Sequence, residues 1–478
     1  MMKKMNMNMT TAVLAAMLAV TMTGCGMNQN ADTAAEKPAV TSSDSVNAEE
    51  STEAVSVNQD AHDTAAVMEL SQKTVSEEQE SELFTERDLA QTADLSDAQR
   101  ITVTDGKIID ITDEGVYVIS GTAKNCTIRI NADDAAKIQL VLDGVSITND
   151  DFPAIYVISA DKVFVTTTNS ENTLTVSGQF TADGDTNTDA VIFSKDDLVL
   201  NGTGTLHITA NYGNGITCKD DLKITGGTYN ITTALDSFEA NDSISVYDGT
   251  FNIKTDKDGF HCENDEAEGT ITILGGTYTI TGGSDGMQAC ALLQIDGGTM
   301  DITAAEGLEA TYVRINDGNI NISASDDGIN AAASANAYET AVEINGGNLN
   351  VAVGQGDTDA IDSNGSVYVN GGTINITAQM SAFDYDAKAE FNGGTIIING
   401  QEVSEIPQSM MGGGMHGGMG GMRGSMNGET DEMQGGMRNG KSGMNDGMRG
   451  GKQGSARSYM NGSQESSTIP ISGDGGVL

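Results

Sequence analysis

Apolar and polar residues alternate with a period of two in short runs through the middle of the chain, and glycine-rich turns separate the runs. In the run 228–232, Tyr229 and Ile231 share one side of an extended strand and the polar residues share the other. The run returns about every two dozen residues, each time after Gly-Gly or Asp-Gly followed by Thr or Asn. A fixed period in this range, without helical periodicity, predicts a solenoid of short strands.

The strand after each glycine marker has one apolar column that we expect to face inward. Its members are Leu206, Tyr229, Phe251, Tyr278, Met300, Ile320, Leu349, Ile374 and Ile396. The next column is often Asn, and the Gly-Gly pairs supply the backbone freedom that a tight turn needs. We therefore predict an all-β fold, a right-handed parallel β-helix that starts near residue 101 and becomes regular after residue 200.

A second marker in each repeat has the pattern acid, Gly, apolar, polar, small. Its first position forms an acidic column, made of Asp236, Asp258, Asp285, Glu306, Asp327 and Asp359. Its fourth position forms a mixed polar column, made of Thr217, Glu239, His261, Gln288, Glu309, Asn330, Asp362 and Asp384. We expect both columns to point outward, because the apolar third position and the small fifth position point inward.

Stacked carboxylates of neighbouring coils would lie ~4.8 Å apart. Their mutual repulsion is roughly 3–4 kcal/mol per pair at an effective dielectric of ~20, so hydration, raised pKa values or a cation must compensate. Calcium takes oxygen ligands, and one ion fits between two coils. The candidate ligands are Asp236, Glu239, Asp256, Asp258, Asp285, Glu306, Glu309, Asp326, Asp327, Asp359 and Asp362, with Asp357 beside them. The alternative is that Asp-Gly is simply favourable turn chemistry, which leaves the fourth-position acids unexplained.

The first 24 residues have the pattern of an export signal. Lys3 and Lys4 precede an apolar run, and Thr23-Gly24-Cys25 follows it. This ending resembles a bacterial lipobox, which predicts a signal peptide over 1–24, lipidation of Cys25 and a lipoprotein on the bacterial cell surface. The alternative is an ordinary secretory signal. No other run is long enough to span a membrane, so we expect membrane attachment through lipid only.

Composition divides the rest of the chain into three segments. Residues 25–80 are acidic and poor in large apolar residues, which predicts a disordered tether with a short helical turn near residues 80–89. Residues 81–400 carry the repeats, and residues 401–478 are rich in Gly and Met, which predicts a disordered tail. Methionine clusters also bind Cu(I), but a flexible tail is the simpler interpretation.

The net charge of −45 excludes nucleic acid and anionic lipid as direct partners, because their phosphates would be repelled. We expect a monomer. Cys218 and Cys262 occupy the same position two repeats apart, with Ala240 between them. Their separation of ~10 Å exceeds the reach of a disulfide, so we predict buried free thiols.

Several segments resemble the clostridial carbohydrate-binding β-helix domain over about residues 84–400. They are Phe84–Leu89, Ile138–Ile147, Ala154–Val157, Lys162–Val165 and the Gly-Gly-Thr coils. The resemblance implies a β-helix similar in shape to pectate lyases, with calcium sites. It also implies binding of cellulose or of an acidic polysaccharide such as polygalacturonate.

Three functions remain open from the sequence. The first is a surface module in which calcium bridges the acidic column to a polysaccharide. The second is a calcium-dependent polysaccharide lyase, which needs a base beside the metal; Lys257 is the one candidate at the column. The third is a structural or adhesion protein without glycan binding. We expect binding without catalysis.

Overall fold

The computed structural model describes residues 80, 83–264, 268–356 and 358–407. Within these ranges the chain forms a parallel β-solenoid of twelve coils, which confirms the predicted all-β solenoid. Each regular coil has three strands on three faces, in the order face 3, face 1, face 2. All strand pairs in the described ranges are parallel except the last, β35 with β36. The predicted tether up to residue 79 and the tail from residue 408 lie outside the described residues.

Face 1 is a twelve-stranded sheet with one strand from each coil. Its strands are β2 Ile108–Ile111, β4 Thr127–Asn131, β6 Ile155–Ser159, β9 Ala190–Ser194, β12 Asn214–Cys218, β15 Phe238–Ala240, β18 Phe260–Cys262, β21 Asp285–Ala289, β24 Glu306–Ala310, β27 Ile329–Ala331, β30 Asp359–Ser363 and β33 Ser381–Tyr385.

Face 2 follows face 1 in each coil. Its strands are β1 Gln99–Thr102, β3 Gly115–Lys124, β5 Lys137–Asn149, β7 Lys162–Thr167, β10 Asp197–Gly202, β13 Asp221–Ile224, β16 Ser243–Val246, β19 Thr270–Ile273, β22 Leu292–Ile295, β25 Tyr312–Ile315, β28 Ala341–Ile344, β31 Ser366–Val369 and β34 Ala389–Phe391.

Face 3 carries the strands that follow the glycine markers. They are β8 Glu171–Val176, β11 Thr205–Ala210, β14 Thr228–Thr233, β17 Thr250–Thr255, β20 Thr277–Thr281, β23 Thr299–Ala304, β26 Asn319–Ala324, β29 Asn348–Val353, β32 Thr373–Thr377 and β35 Thr395–Ile398. The last strand, β36 Gln401–Val403, turns back against β35. The solenoid therefore extends slightly past residue 400, where we had placed the start of the tail.

The predicted apolar column stacks in register on face 3 and is buried along its length. Tyr229, Phe251 and Tyr278 stack with nearly parallel rings, at centroid distances of 5.4 and 4.7 Å. On face 1, Phe238 and Phe260 stack in the same way at 4.7 Å. Like-on-like stacking of apolar side chains along the axis is what each coil needs to bury its inner surface on its neighbours.

The turns between face 2 and face 3 need glycine for its backbone conformation. The second glycine of the marker has a positive φ in successive coils, as at Gly276 (106°) and Gly298 (102°). In the early coils the same bend occurs inside single long strands. At Gly144, with φ 71°, β5 passes from face 2, where it pairs with β7, to face 3, where it pairs with β8.

The segment 83–91 lies across the outside of face 2 before the solenoid begins. Phe84 packs edge-on against Tyr247 at 5.8 Å, and the Arg87 guanidinium lies 4.4 Å from the Phe164 ring. Farther along, the Gln91 side chain accepts from Gly202 N at 2.9 Å. The Phe84–Leu89 motif therefore fixes the chain to several coils of face 2.

The four cysteines of the described residues are buried and free, which confirms the prediction for Cys218 and Cys262. Both are in register with Ala240, which lies between them on face 1. Burial raises the pKa of each of these two thiols far above its ordinary value. In the part of the chain that the structure describes, helices with the length and hydropathy of a membrane span are absent.

Candidate functional site: the acidic corner

The first-position acids lie at the bend where face 3 turns into face 1, and we call this edge the acidic corner. It comprises Asp236, Asp258, Asp285, Glu306, Asp327 and Asp359 on six successive coils, with the fourth-position side chains beside them on face 1. Parallel pairing without register shifts holds equivalent residues on neighbouring coils, so the sequence repeat translates directly into a continuous row.

The first three carboxylates of the row are buried, so our expectation of an outward first column was wrong for them, whereas Glu306, Asp327 and Asp359 are half-buried. Asp236, Asp258 and Asp285 are only 3%, 1% and 5% exposed. The reason is a backbone hydrogen bond between coils. Asp236 Oδ1 accepts from Asp258 N at 3.2 Å, and Asp258 Oδ1 accepts from Asp285 N at 2.9 Å. Asp236 and Asp258 thus each accept a buried N–H group at the start of the next coil's face 1 segment.

The same bond recurs at both ends of the row. Asp236 N donates to Asn214 Oδ1 at 2.9 Å, and Asp359 N donates to Asp327 Oδ1 at 2.7 Å. Asn214 shows that an amide oxygen performs this structural role without a charge. The need for an acceptor therefore explains an oxygen at this position but does not explain six acids in succession.

Two cations neutralise the first two acids of the row. Lys257 Nζ lies 2.7 Å from Asp236 Oδ2 and 3.7 Å from Asp258 Oδ2. His261 Nδ1 lies 3.3 Å from Asp236 Oδ2. The predicted place of His261 in the fourth-position column is confirmed, since it pairs with Glu239 on one side and Gln288 on the other.

The charges of this cluster shift one another's pKa values. Burial favours the neutral ring, but the hydrogen bonds to Asp236 and Glu263 raise the pKa of His261 to about 10. Burial likewise opposes the charge of Lys257, yet the neighbouring Asp236 raises the pKa of the amine. The His261 hydrogen bond and these two charges overcome burial and lower the pKa of Asp236. Burial and the Asp236 charge raise the pKa of Asp258 to about 6.

The next acids in the row form a cluster without such cations. One carboxylate oxygen from each of Asp285, Glu306 and Glu309 lies within 4.8 Å of the other two. Among the described residues, none of the three is in an ion pair with Lys, Arg or His. Burial and the Asp258 charge raise the pKa of Asp285 to about 9. Burial and the Glu309 charge raise the pKa of Glu306 to about 7.

Amide side chains from adjacent rungs of face 1 hold this cluster in place. Gln288 Nε2 donates to Glu309 Oε2 at 2.6 Å, and Asn330 Nδ2 donates to Glu306 Oε2 at 3.0 Å. Each of these bonds engages one oxygen of its carboxylate. The cluster is therefore a fixed set of oxygen donors that carries more negative charge than its surroundings neutralise.

A third group of acids continues the row. Asp327 and Asp359 are joined by the backbone bond described above, and Asp362 follows on face 1. Burial and the Asp327 charge raise the pKa of Asp362 to about 7. Burial also raises the pKa of Asp327 to about 7. Of the predicted flanking acids, Asp256 and Asp326 are exposed, and Asp357 lies outside the described residues.

Glu239 lies near the start of the fourth-position column, and both of its carboxylate oxygens have partners. Its Oε2 accepts from Asn214 at 2.5 Å and from Thr217 at 2.8 Å, and its Oε1 lies 3.0 Å from Lys219 Nζ. From Thr217 to Asn330 no two acids of this column lie on adjacent rungs, so direct repulsion there is smaller than in the first-position column; Asp362 and Asp384 are adjacent acids at its far end.

The sequence pattern did not predict that two further groups of residues come together. Asp197, Asp220 and Asp221 form another close carboxylate cluster, at face 2. Tyr312, Arg314 and Glu343 form a hydrogen-bonded group farther along the same face. Neither group belongs to a column of like residues, so the repeat gave no signal for them; only the three-dimensional register brings them together.

A protein-family model described as carbohydrate-binding domain-containing protein matches residues 105–360 and 311–445. The matched segments cover more than half of the chain and include the whole acidic corner. This chain belongs to that carbohydrate-binding family. The family resemblance is thereby confirmed, with the Ile138–Ile147 and Gly-Gly-Thr segments inside the matched residues, and the family supports glycan binding in general.

Two individual proteins illustrate the relationship. A carbohydrate-binding domain-containing protein of Acetivibrio thermocellus is 38% identical over 127 residues, which are 26% of this chain and 44% of the relative. The chain thus spans less than half the length of that relative. A solved structure described as a polysaccharide lyase-like protein from C. thermocellum, in a gadolinium derivative, covers 65% of this chain and 97% of its own. Its identity is 22% and its TM-score is 0.30, so it adds nothing to the account of the site.

Proposed function

We propose that this chain binds an acidic polysaccharide, of the polygalacturonate type, through calcium ions held at the acidic corner. The observation that carries the proposal is the Asp285–Glu306–Glu309 cluster, whose three carboxylates converge within 4.8 Å without a neutralising cation among the described residues. An acidic polymer and an acidic protein repel each other unless a cation bridges them. A calcium ion bound by this cluster keeps coordination positions for a uronate carboxylate.

The donor chemistry fits calcium. All three donors are carboxylate oxygens, which calcium prefers, and their spacing lets one ion contact several of them at its ordinary 2.3–2.6 Å distances. The cluster contains neither thiolate nor imidazole, which softer transition metals prefer. Asp327, Asp359 and Asp362 supply the same chemistry at the next coils and are the second place where we propose an ion.

The proposed ions belong to the coils from β21 onward rather than to the start of the row. Lys257 and His261 already neutralise Asp236 and Asp258, and Lys219 neutralises Glu239. A calcium ion there would have to displace these cations. Asp236, Asp258 and Glu239 therefore fix the coil and its charge balance, while Asp285, Glu306 and Glu309 bind the metal.

We propose binding without cleavage. A lyase requires a base that accepts a proton from the sugar ring. Lys257, the candidate from the sequence, has its amine 2.7 Å from Asp236, and the raised pKa keeps it protonated at neutral pH. A protonated amine held between two carboxylates cannot accept that proton.

We further propose that the chain is an exported lipoprotein with Cys25 as its lipidated residue, and that it presents the solenoid as a monomer at the bacterial surface. The sequence 1–25 supports this proposal. Metabolic labelling with an alkyne fatty acid tests it. The wild type should be labelled and Cys25→Ala should not, and equal labelling would refute lipidation at this residue.

Retention on immobilised polygalacturonate tests the binding function. We expect retention of the wild type in calcium and release by EDTA, without unsaturated product in the ultraviolet spectrum. The variant Asp285→Asn/Asp327→Asn should lose calcium-dependent retention, because it removes two carboxylates while Asn keeps the oxygen that accepts the backbone bond at Asp327. Formation of unsaturated product would establish a lyase instead.

A matched control separates the site from net charge. Asp301 and Asp317 are acids of the coils around the cluster, outside the acidic corner. The variant Asp301→Asn/Asp317→Asn removes the same charge and should bind like the wild type. If both double variants lose retention equally, diffuse charge rather than the acidic corner carries the interaction.

A further inference from the structure

Tyrosines gather on face 2, away from the acidic corner. Tyr312 lies on β25, Tyr338 in the loop before β28, and Tyr368 on β31. The Tyr312 and Tyr338 ring centroids are 6.0 Å apart, and Tyr368 pairs in register with Glu343 of the preceding coil. Tyr338 and Tyr368 are partly exposed, whereas Tyr312 is 9% exposed. Two partly exposed rings thus lie on the same face as a third ring that is nearly buried.

Planar polar groups lie between these rings. The Arg314 guanidinium is 5.0 Å from the Tyr312 ring, and its Nε donates to Glu343 Oε2 at 2.8 Å. The Tyr312 hydroxyl donates to the same carboxylate oxygen at 2.8 Å. These bonds fix the guanidinium and the carboxylate while leaving a third of Arg314 exposed. We call Tyr312, Arg314, Tyr338, Glu343, Tyr368 and Lys388 the tyrosine patch.

The charge of the patch is balanced. Arg314 and Lys388 are the only Lys or Arg residues in the sequence between 258 and 407, and both lie beside a tyrosine of the patch. Each has its own acid: Arg314 pairs with Glu343 at 2.8 Å, and Lys388 pairs with Glu390 at 3.0 Å. The patch is therefore locally neutral on a chain with a net charge of −45, and it offers an anion no unpaired cation.

We propose that the tyrosine patch is a second glycan subsite, specific for an uncharged saccharide and independent of calcium. Exposed tyrosine rings offer apolar faces against which the C–H face of a sugar ring packs. The fixed guanidinium of Arg314 and carboxylate of Glu343 supply the few polar contacts that orient hydroxyl groups. The balanced charge selects a neutral ring over a uronate. The inference rests on the proposed glycan-binding function, but it does not require that calcium binds at the acidic corner.

Calorimetric titration of the full chain in EDTA tests the subsite. The probes are uncharged β-1,4-linked hexasaccharides of glucose, xylose and mannose. We expect at least one to bind, and Tyr338→Ala/Tyr368→Ala to weaken that binding by about tenfold or more, as for buried aromatic anchors. Tyr212→Ala is the matched control, since Tyr212 is 57% exposed but lies at the other side of the coil; it should bind like the wild type.

The readouts separate this subsite from the acidic corner. Tyr338→Ala/Tyr368→Ala should keep calcium-dependent retention on polygalacturonate, and Asp285→Asn/Asp327→Asn should keep binding of the neutral hexasaccharide. If the alanine variant loses its cooperative thermal transition, Tyr338→Leu/Tyr368→Leu retains apolar bulk without the rings and takes its place. Binding of none of the three probes, or undiminished binding by a folded double variant, overturns the proposal.

Discussion

At the scale of single residues, the acidic corner combines two roles that the sequence shows as one column. The first role is structural: a side-chain oxygen accepts the backbone N–H of the next coil at Asp236, Asp258 and Asp327. The second role is electrostatic: successive carboxylates accumulate charge. Asn214 fulfils the first role alone, whereas Asp285 and Glu306 lie in a carboxyl cluster without a cation among the described residues, where burial and neighbouring carboxylates raise their pKa values.

Replacing Asp285 with Asn should separate calcium binding from stability. The raised pKa of about 9 keeps Asp285 protonated at pH 7 in the absence of metal, so Asn mimics the state already present. We expect the free energy of unfolding without calcium to change little at pH 7 while calcium affinity falls by about tenfold or more, which corresponds to 1.4 kcal/mol or more. Urea unfolding and calcium titration measure the two quantities. A large loss of stability without metal would show that the charge is needed for folding.

Replacing Lys257 with Met should destabilise the solenoid. The variant keeps the aliphatic stem but leaves Asp236 and Asp258 buried with His261 as their remaining cation. Removing one partner of a buried ion pair costs about 3–5 kcal/mol. Since the Lys257 side chain is 37% exposed, we expect a smaller loss of about 2 kcal/mol in urea unfolding. Unchanged stability would mean that the pair contributes nothing to the coil.

At the scale of the elements, the glycines of the two markers act for different reasons. The Gly-Gly pair between face 2 and face 3 supplies a positive φ. Four of the six first-position acids are followed by a glycine without such a φ, and Ser237 and Ala360 occupy this position in the other two coils. These four glycines allow the close approach of neighbouring coils. A Cβ on Gly286 would lie 2.5 Å from the carbonyl oxygen of Gly307 on the next coil. The same contact recurs down the row, so these glycines set the tight stacking at the acidic corner.

Gly286→Ala should therefore be strongly destabilising, with a loss of stability of at least about 2 kcal/mol, because the added methyl group meets backbone that cannot move aside without breaking the ladder. Gly106→Ala is an informative comparison. It has φ 67° but open space around its Cβ position, so it should lose only about 1 kcal/mol of strain energy. Thermal unfolding of the two variants measures the difference. A smaller loss at Gly286 than at Gly106 would contradict this explanation.

Much of the element-level structure followed from the sequence, because a solenoid repeats its contacts at a fixed sequence distance. The apolar column from Leu206 to Ile396, the fourth-position column and the positive-φ glycines all have one residue per coil, so a period was enough to find them. The burial of Asp236 and Asp258 could not be predicted. The alternation of apolar and polar residues indicates which side of a strand a residue faces, but it does not indicate the geometry of a bend between two strands. The tyrosine patch and the segment 83–91 depend on single contacts between distant segments, which leave no periodic signal.

At the scale of the whole molecule, the acidic row makes stability depend on pH. Asp285, Glu306, Asp327 and Asp362 have pKa values of about 9, 7, 7 and 7 in the folded chain, against about 4 in an unfolded chain. Between pH 4 and these raised values the folded state binds more protons than the unfolded state. The stability that these groups contribute without calcium is therefore present at low pH and is lost as pH rises from about 4 to about 9.

Calcium should reverse this loss. It binds the ionised carboxylates of the folded state and stabilises the chain by mass action, so the increase in melting temperature on adding calcium should be larger at pH 8 than at pH 5. Melting curves at both values, with and without EDTA, measure it. An increase that is larger at pH 5, or no increase at either value, would contradict the assignment of calcium to these acids.

The proposed function depends on calcium binding at the cluster of Asp285, Glu306 and Glu309 and at its neighbour around Asp327. Calorimetric titration of calcium into the wild type, Asp285→Asn/Asp327→Asn and Asp301→Asn/Asp317→Asn tests it most directly. We expect saturable binding to the wild type and to the Asp301/Asp317 control, with strongly weakened binding to the Asp285/Asp327 variant. Identical titration curves for all three proteins would contradict this expectation.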